Sequence, residues 1–572
     1  MMKKPLMNFM IALACTTFTL VSCGNSSESL TSSSSDSSTA SSSEFSSFPV
    51  SSSESSSQDQ NNPTISPKYR TYYQILIYSF ADSNGDGIGD FKGIADKFDY
   101  LKTLGVNGIW LSPAHPASSY HGYNVIDYYY INPNYEVSGY TFDDFLADAQ
   151  ANDIAIVMDL VLNHTSTEYS WFLQGLNAFK NNTESKYKTY YTFSMTQTTQ
   201  CPNSQNGVFY ESLFSSSMPD LNYDNPDVRE EAINVGKYWL NKGVSGFRLD
   251  GAMHIFTNYD SPTFASDKWN NDVYDKNIAW WNEFYTAMQT VTPDVYVIGE
   301  VWSSESKIET YYASGMDGFF NFDTRGEITN AMSGSVDYSA WLESYQTAIR
   351  SYNSNAIESY FVDNHDTPRL AVGLNNVLEL KMAAALQLLA PGNAFVFYGD
   401  EIGLKGSGGS GDRLYRTAML WGDSYATNPS LFGIGSSFTS STVSGANATT
   451  QVTDQTSLFN YYKNLIALKN ANKELYSGTL EPVLTGSNYY VAYTVTQDEF
   501  ISLVFHNLSG NVATFNLTGS TFTLSGGLSV SGGLSVSGDA PTLSGGTLSM
   551  PGNSTAVIRL SSSDITVTPI LF

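Results

Sequence analysis

The chain has 572 residues, 41% of them hydrophobic, which is enough for several domains and a large core. A formal net charge of −27 argues against nucleic acid or an anionic membrane surface as partner, and fits cation binding or a neutral substrate. Of three cysteines, Cys15 and Cys23 lie near the start and Cys201 stands alone, so the mature domains read as free of internal disulfides.

Lys3 and Lys4 precede an apolar run from about Leu6 to Val21, too short for an ordinary spanning helix, which ends in Leu20-Val21-Ser22-Cys23. This segment resembles a bacterial lipoprotein signal. The resemblance implies that residues 1–22 are removed, that Cys23 is lipidated, and that the protein sits outside the cytoplasm on a membrane anchor; a plain secretory signal is the alternative. Residues 23–67 are mostly serine with scattered acids, cannot bury enough apolar surface to order themselves, and read as a flexible tether.

From Tyr72 onward, apolar strands alternate with amphipathic helices. The expected strands are Tyr73–Phe80, Gly108–Ser112, Ile154–Leu162, Val244–Asp250, Val295–Val301, Gly318–Phe322, Tyr360–Asp363 and Ala394–Tyr398. Helices fit between them, among them Phe142–Gln150, Pro226–Asn241, Ile278–Val291, Tyr338–Tyr352 and Val377–Leu389. Eight such units predict an α/β fold, a (β/α)8 TIM barrel over residues 68–163 and 223–475, with an inserted small domain at 164–222. A doubly wound sheet is the alternative, because periodicity alone does not show closure. After a helix at about Ser457–Lys473, Tyr489–Tyr493 and Ile501–Phe505 alternate like strands. Residues 476–572 therefore read as an all-β sandwich, a stabilising cap with starch binding as the alternative. Leu528-Ser-Val-Ser-Gly-Gly repeats once as Leu534-Ser-Val-Ser-Gly, too short for a solenoid.

In a barrel the site lies at the carboxyl ends of the strands. Here strand three ends in Asp159 and Asn163-His164, strand four in Arg248, Asp250 and His254, strand five in Glu300-Val-Trp302, and strand seven in Asn364-His365-Asp366. Arg248 and Asp250, two apart on a strand, share a face. Three carboxylates, Asp250, Glu300 and Asp366, would meet in one pocket, as glycoside hydrolysis requires a proton donor and a carboxylate against an oxocarbenium-like transition state. Their environments should hold one pKa up and one down, with Arg248 the natural group to lower Asp250. Spacing alone does not assign the roles.

The four endings resemble, in order and spacing, the hallmark segments of the α-amylase family, glycoside hydrolase family 13, over about residues 70–560. That resemblance implies Asp250 as nucleophile, Glu300 as general acid/base and Asp366 as transition-state stabiliser. It also implies that Arg248 orients the nucleophile, that His164 and His365 bond the sugar in subsite −1, that Asp159 supports the pocket, and that His121-Gly-Tyr123 places Tyr123 under that sugar. His254 joins the substrate-binding set. Gly251 and Met253 depart from the family's usual Ala and Lys. Arg416-Thr-Ala-Met-Leu-Trp421 resembles a further family segment, and Met218-Pro-Asp-Leu-Asn222 resembles that of relatives intermediate between oligo-1,6-glucosidases and neopullulanases.

Asp82-Ser-Asn84-Gly-Asp86-Gly-Ile88-Gly-Asp90 sets acids and an amide at alternate positions, with glycines that let the chain curl, as a hard cation with oxygen ligands requires. The resemblance supports a Ca2+ loop using Asp82, Asn84, Asp86, Asp90 and the carbonyl of Ile88. An Asp/Asn/Gly-rich turn without metal is the alternative. The expected function is a monomeric, retaining, endo-acting hydrolase of α-1,4-glucans. The enzyme alternatives are an α-glucosidase or oligo-1,6-glucosidase, a neopullulanase, or a 4-α-glucanotransferase. A non-catalytic glycan binder is the alternative of another class; the complete set of Asp250, Glu300 and Asp366 argues against it.

Overall fold

Eight short parallel strands form the centre of the computed structural model, which describes residues 62–407, 411–428, 431, 439–529 and 540–570. The signal segment, Cys23, nearly all of the tether and the second copy of the Leu528 repeat lie outside the described residues. The strands are β1 (Thr71–Ile75), β2 (Gly108–Leu111), β3 (Ala155–Leu160), β4 (Gly246–Leu249), β5 (Tyr296–Gly299), β6 (Gly318–Phe319), β7 (Ser359–Phe361) and β8 (Asn393–Phe397). They run β7-β8-β1-β2-β3-β4-β5-β6. A parallel bridge from Asn321, just past β6, to Tyr360 on β7 joins the two ends. The sheet is therefore a closed barrel and not a doubly wound sheet.

The expected first strand was too long: β1 stops at Ile75, and Ile77–Phe80 forms one helical turn. A short, mostly apolar run carries no clear periodicity to separate a buried strand from a buried helical turn. Elsewhere the punctuation is local. The helix Phe142–Ala151 (α1) starts in a capping box between Thr141 and Asp144. The helix Pro226–Lys242 (α2) has Asn225 as cap and Pro at its start, and ends at Gly243 with φ +107°.

Alternation along each strand decides what the barrel interior holds. Tyr72, Trp110, Val157, Tyr296, Ile298, Phe320, Phe361 and Phe395 fill it as one apolar cluster, with Tyr72 stacked 5.1 Å from Tyr296 and 5.0 Å from Phe395. Two residues further along β1, β3 and β5, the same inward face carries Gln74, Asp159 and Glu300 instead. The lower barrel is thus a dry plug, and its upper layer is polar.

Between β3 and α2 the chain makes an excursion containing the helix Ser170–Asn181 and three short strands, Phe193–Ser194, Asn203–Gln205 and Val208–Tyr210. It is tied to the end of β3 by the bridge between His164 and Asp220 and by Leu221 N–H donating to the Asn163 carbonyl at 3.0 Å. Cys201, within it, is buried and free. The C-terminal part holds a five-stranded antiparallel sheet and a four-stranded one. Ala492, Leu503, Phe505, Phe515, Leu548 and Ile558 form the core between them. On the outer face of the larger sheet, Val491, Tyr493 and Val495 join the barrel's own core, and Tyr493 Oη donates to the Leu389 carbonyl at 3.1 Å. That sheet is a strand-alternating wall shared by two cores.

Candidate active site

Strand register builds the site. Asp159 and Arg248 are paired neighbours across β3 and β4. Asp250 and Glu300 follow the last residues of β4 and β5, and Glu300 N–H donates to the Leu249 carbonyl at 3.0 Å. Arg248 is fully buried. Its Nη1 lies 2.9 Å from Asp159 Oδ1 and 2.8 Å from Asp250 Oδ1, and its Nη2 lies 2.7 Å from Glu300 Oε1. A single guanidinium therefore spans both candidate catalytic carboxylates of β4 and β5 and the support beneath them. Asp250 and Glu300 are only 9% and 8% exposed, which leaves each a small opening to the cleft.

Asp366 faces this group from the end of β7. Its Oδ1 accepts from Arg416 Nη2 at 2.6 Å, and its Oδ2 lies 2.9 Å from His365 Nε2. Arg416 also donates through Nε to the His365 carbonyl at 2.9 Å and through Nη1 to Tyr120 Oη at 3.1 Å. The Tyr123 ring stacks on His365 at 5.4 Å and 7°, and its hydroxyl donates to Asp159 Oδ2 at 3.0 Å. Trp110 Nε1 donates to the same oxygen at 3.2 Å.

The remaining histidines sit differently. His164 reaches the site, but its Nδ1 is 3.1 Å from Asn163 Oδ1 and its Nε2 is 3.1 Å from the Tyr123 carbonyl, so both nitrogens bond protein. His121 accepts through Nδ1 from Tyr123 N–H at 3.2 Å and shapes the turn that carries the tyrosine. His254 is wedged between Phe214 and Trp269, with ring centroids at 5.3 and 5.6 Å, and its carbonyl accepts from Asn163 Nδ2 at 2.7 Å. Met253 is fully buried, so that position faces the core and not the cleft.

One cation among three carboxylates sets the electrostatics. Burial raises Asp159 to about 7 against the pull of Arg248. It also raises Asp250 and Glu300, again opposed by Arg248. The expectation that Arg248 holds Asp250 low is thereby corrected, because desolvation outweighs a guanidinium shared three ways. The acid held low is Asp366: burial pushes it up, but His365, Arg416 and Arg248 together overcome this and leave it well below the usual carboxylate range. Carboxylates whose proton affinities are driven apart, Asp250 and Glu300 raised and Asp366 lowered, are suited to acid–base work on a glycosidic oxygen.

The loop Asp82–Asp90 sits apart from this cluster. Asp82 accepts from the N–H groups of Gly85 and Gly87, both at 2.7 Å, where Gly85 and Gly87 have φ of +82° and +92°. Asp86 accepts from Ile88 N–H at 2.8 Å and Asn84 from Asp86 N–H at 2.8 Å. Asp90 instead caps the short helix Phe91–Ala95 through Gly93 N–H at 2.7 Å and accepts from Ser83 N–H at 2.8 Å. The donor set is all oxygen and each carboxylate keeps lone pairs, which fits a hard cation. Among the described residues, no cluster of three or more His, Cys, Asp or Glu side chains is gathered to hold a metal ion.

Sequence reasoning missed three contributors: Gln74, Trp110 and Arg416. The first two are single polar-capable residues in apolar strands, and only strand parity could have pointed to them. Arg416 was noticed as part of a segment, without a role.

Residues 74–478 match the family model described as "Alpha amylase, catalytic domain". Alpha-amylase 3 of Dictyoglomus thermophilum is 34% identical over 459 residues, 78% of this chain and 86% of its own. The 4-alpha-glucanotransferase of Thermotoga neapolitana is 32% identical over 352 residues, 58% of this chain and 72% of its own. Among solved structures, Eubacterium rectale Amy13B superposes with a TM-score of 0.75 at 31% identity, over 86% of this chain and 95% of that one.

Proposed function

This chain belongs to the α-amylase family and is a glycoside hydrolase, and from that premise we propose that it cleaves internal α-1,4 bonds of starch and maltodextrins with retention. The observation that carries the proposal is the Arg248 guanidinium in contact with both Asp250 and Glu300, with Asp366 held separately by Arg416.

In this reading Asp250 attacks the anomeric carbon while Glu300 gives its proton to the departing glycosidic oxygen. Glu300 then takes a proton from the water that releases the glycosyl–Asp250 intermediate. Arg248 orients the Asp250 carboxylate, and Asp366, ionised across the physiological range, stabilises positive charge that develops on the sugar ring. Tyr123, flat against His365, is the floor on which the sugar stacks. Trp302, 52% exposed just past Glu300, and Trp269, 38% exposed, add aromatic surface for glucan beyond the scissile bond. The side chains of Asp82, Asn84, Asp86 and Asp90 and the Ile88 carbonyl would hold Ca2+, which, when bound, supplies rigidity to the loop after β1 and no chemistry. The serine-rich segment would hold the enzyme as a monomer off a membrane, anchored through Cys23 outside the cytoplasm.

Transfer to a sugar acceptor is a second reading, favoured by the resemblance to a named 4-alpha-glucanotransferase. A time course of products from starch, pullulan and isomaltose separates the readings. Early mixed-length oligosaccharides from starch are expected, and Asp250→Asn should lose at least ~1000-fold of that rate. Glucose alone, or rapid isomaltose cleavage, overturns the endo α-1,4 reading. Lengthened oligosaccharides from maltotriose support transfer.

A further inference from the structure

Gln74 is the β1 residue on the polar layer of the barrel, two places beyond the stacked Tyr72 and paired in register with Trp110. It is 2% exposed, and its Nε2 lies 2.8 Å from His365 Nδ1. Neither hydrolysis nor the apolar plug needs an amide there. We propose that Gln74 is a positioning residue that fixes His365 as the neutral ring with its proton on Nε2, and so sets the direction of the hydrogen-bond chain under the sugar site.

With the amide N–H on Nδ1, the bonds form one consistent chain. An amide N–H pointing at Nδ1 makes that nitrogen an acceptor, so the ring's single proton must sit on Nε2. From there it reaches Tyr123 Oη at 2.6 Å and Asp366 Oδ2 at 2.9 Å. Tyr123 Oη, accepting from His365, is free to donate to Asp159 Oδ2 at 3.0 Å. Asp159 in turn accepts from Arg248 Nη1 at 2.9 Å, and the same nitrogen bonds Asp250. Moving the ring proton to Nδ1 with the amide as it stands would set two donors face to face at Gln74. The chain therefore connects an amide on β1 to the cation that orients Asp250, through His365, Tyr123 and Asp159 at three other strand ends.

Burial is the largest influence that holds the ring neutral. Arg416 from beyond β8 and Arg248 from β4 disfavour a charged imidazole, while Asp366 in the same turn and Glu300 from β5 favour it. His121 and the Tyr123 hydroxyl from the β2 loop face the ring as well, and Trp110 from β2 packs edge-on at 5.8 Å. An amide donor on Nδ1 opposes a second proton there, so Gln74 adds to burial in holding the ring neutral.

The kinetic part of the test rests on the hydrolase reading; the spectroscopic part does not. The protein has only six histidines, so 15N-histidine spectra can be assigned with a His365→Gln control. The expected His365 spectrum has an unprotonated Nδ1 and a protonated Nε2; a protonated Nδ1 in the native protein overturns the inference. Gln74→Met removes the donor at similar volume and should mix the tautomers and lower kcat/KM about tenfold, the loss expected when a buried partner is left unpaired. Gln74→Glu offers an acceptor to Nδ1, so the ring should gain its proton and the acidic limb of the kcat/KM profile should rise by ~1 pH unit or more. Unchanged spectra and profiles in both folded variants also overturn it. An inactive wild type with the expected spectrum would defeat the hydrolase reading and leave this one standing.

Discussion

Gly251 follows the candidate nucleophile in the left-handed region at φ +52°, and a Cβ placed there would lie 3.0 Å from Phe214 Cζ. Its N–H also points to Glu300 Oε2 at 3.3 Å. Backbone conformation and the phenylalanine of the inserted segment thus account for glycine in place of alanine. Gly251→Ala should cost about 1–2 kcal/mol of stability for the left-handed strain alone. It should also reduce kcat, because relaxing the strain turns the N–H away from Glu300. Thermal melting and initial rates check this; an alanine variant as stable and as fast as the parent would contradict it. The candidate carboxylates were legible because acids at the ends of apolar strands are costly to bury and call for a reason. Gln74 was not legible, since its meaning depends on His365, which is distant in sequence and becomes a neighbour only when β1, β7 and β8 close.

At the scale of the element, the loop Asp82–Asp90 shows how far a motif reaches. Its alternating acids and its two glycines at positive φ were readable from spacing, but the carboxylate of Asp90 is engaged as a helix cap, which spacing cannot tell. The loop is held on its outer side by Tyr425 and Asn428: Asp82 N–H donates to the Tyr425 carbonyl at 3.2 Å, and Asn428 N–H donates to the Gly87 carbonyl at 2.7 Å. A cation bound only by the folded loop stabilises it by mass action, ~2.7 kcal/mol at a hundredfold excess over Kd. Removing divalent ions with chelator should therefore lower Tm, Ca2+ should restore it, and Asp82→Ala should erase the difference. A Tm indifferent to chelator and calcium, with no metal found in the protein, would refute the loop's role. The first strand makes the same point about boundaries. Tyr73 to Phe80 is mostly apolar, and its residue types do not mark where β1 stops at Ile75 and the helical turn Ile77–Phe80 begins.

Across the whole molecule, all six histidines are shifted below the ordinary imidazole value. Burial lowers His115, His164 and His254 to about 4, lowers His121 and His506 to about 3, and lowers His365 as well. In the unfolded chain each binds a proton near pH 6.5, whereas the native state refuses it until the pH is well below. The unfolded state therefore holds more protons between those values, so stability is full above about pH 6.5 and is lost as the pH falls toward 4. Each group contributes up to ~1.4 kcal/mol per unit of separation. Denaturation midpoints measured from pH 7 to pH 4.5 should fall steadily, and His506→Asn, far from the candidate site in the C-terminal sheet, should flatten part of that slope. A midpoint that stays level or rises on acidification would rule this out.

The sequence by itself determined the repeat of strand and helix, the polar strand endings and the three carboxylates, because these depend on local periodicity and on residue type. Only the tertiary structure decided three further things. The bridge from Asn321 to Tyr360 closed the sheet, which no pattern within one strand can encode. One buried guanidinium was found divided among Asp159, Asp250 and Glu300, so that desolvation outweighed attraction at the carboxylate Arg248 was expected to lower. The partners of His365 came from β1, the β2 loop and the segment beyond β8. Distances and burial set a side chain's electrostatics, and both arise only when remote stretches of chain are brought together.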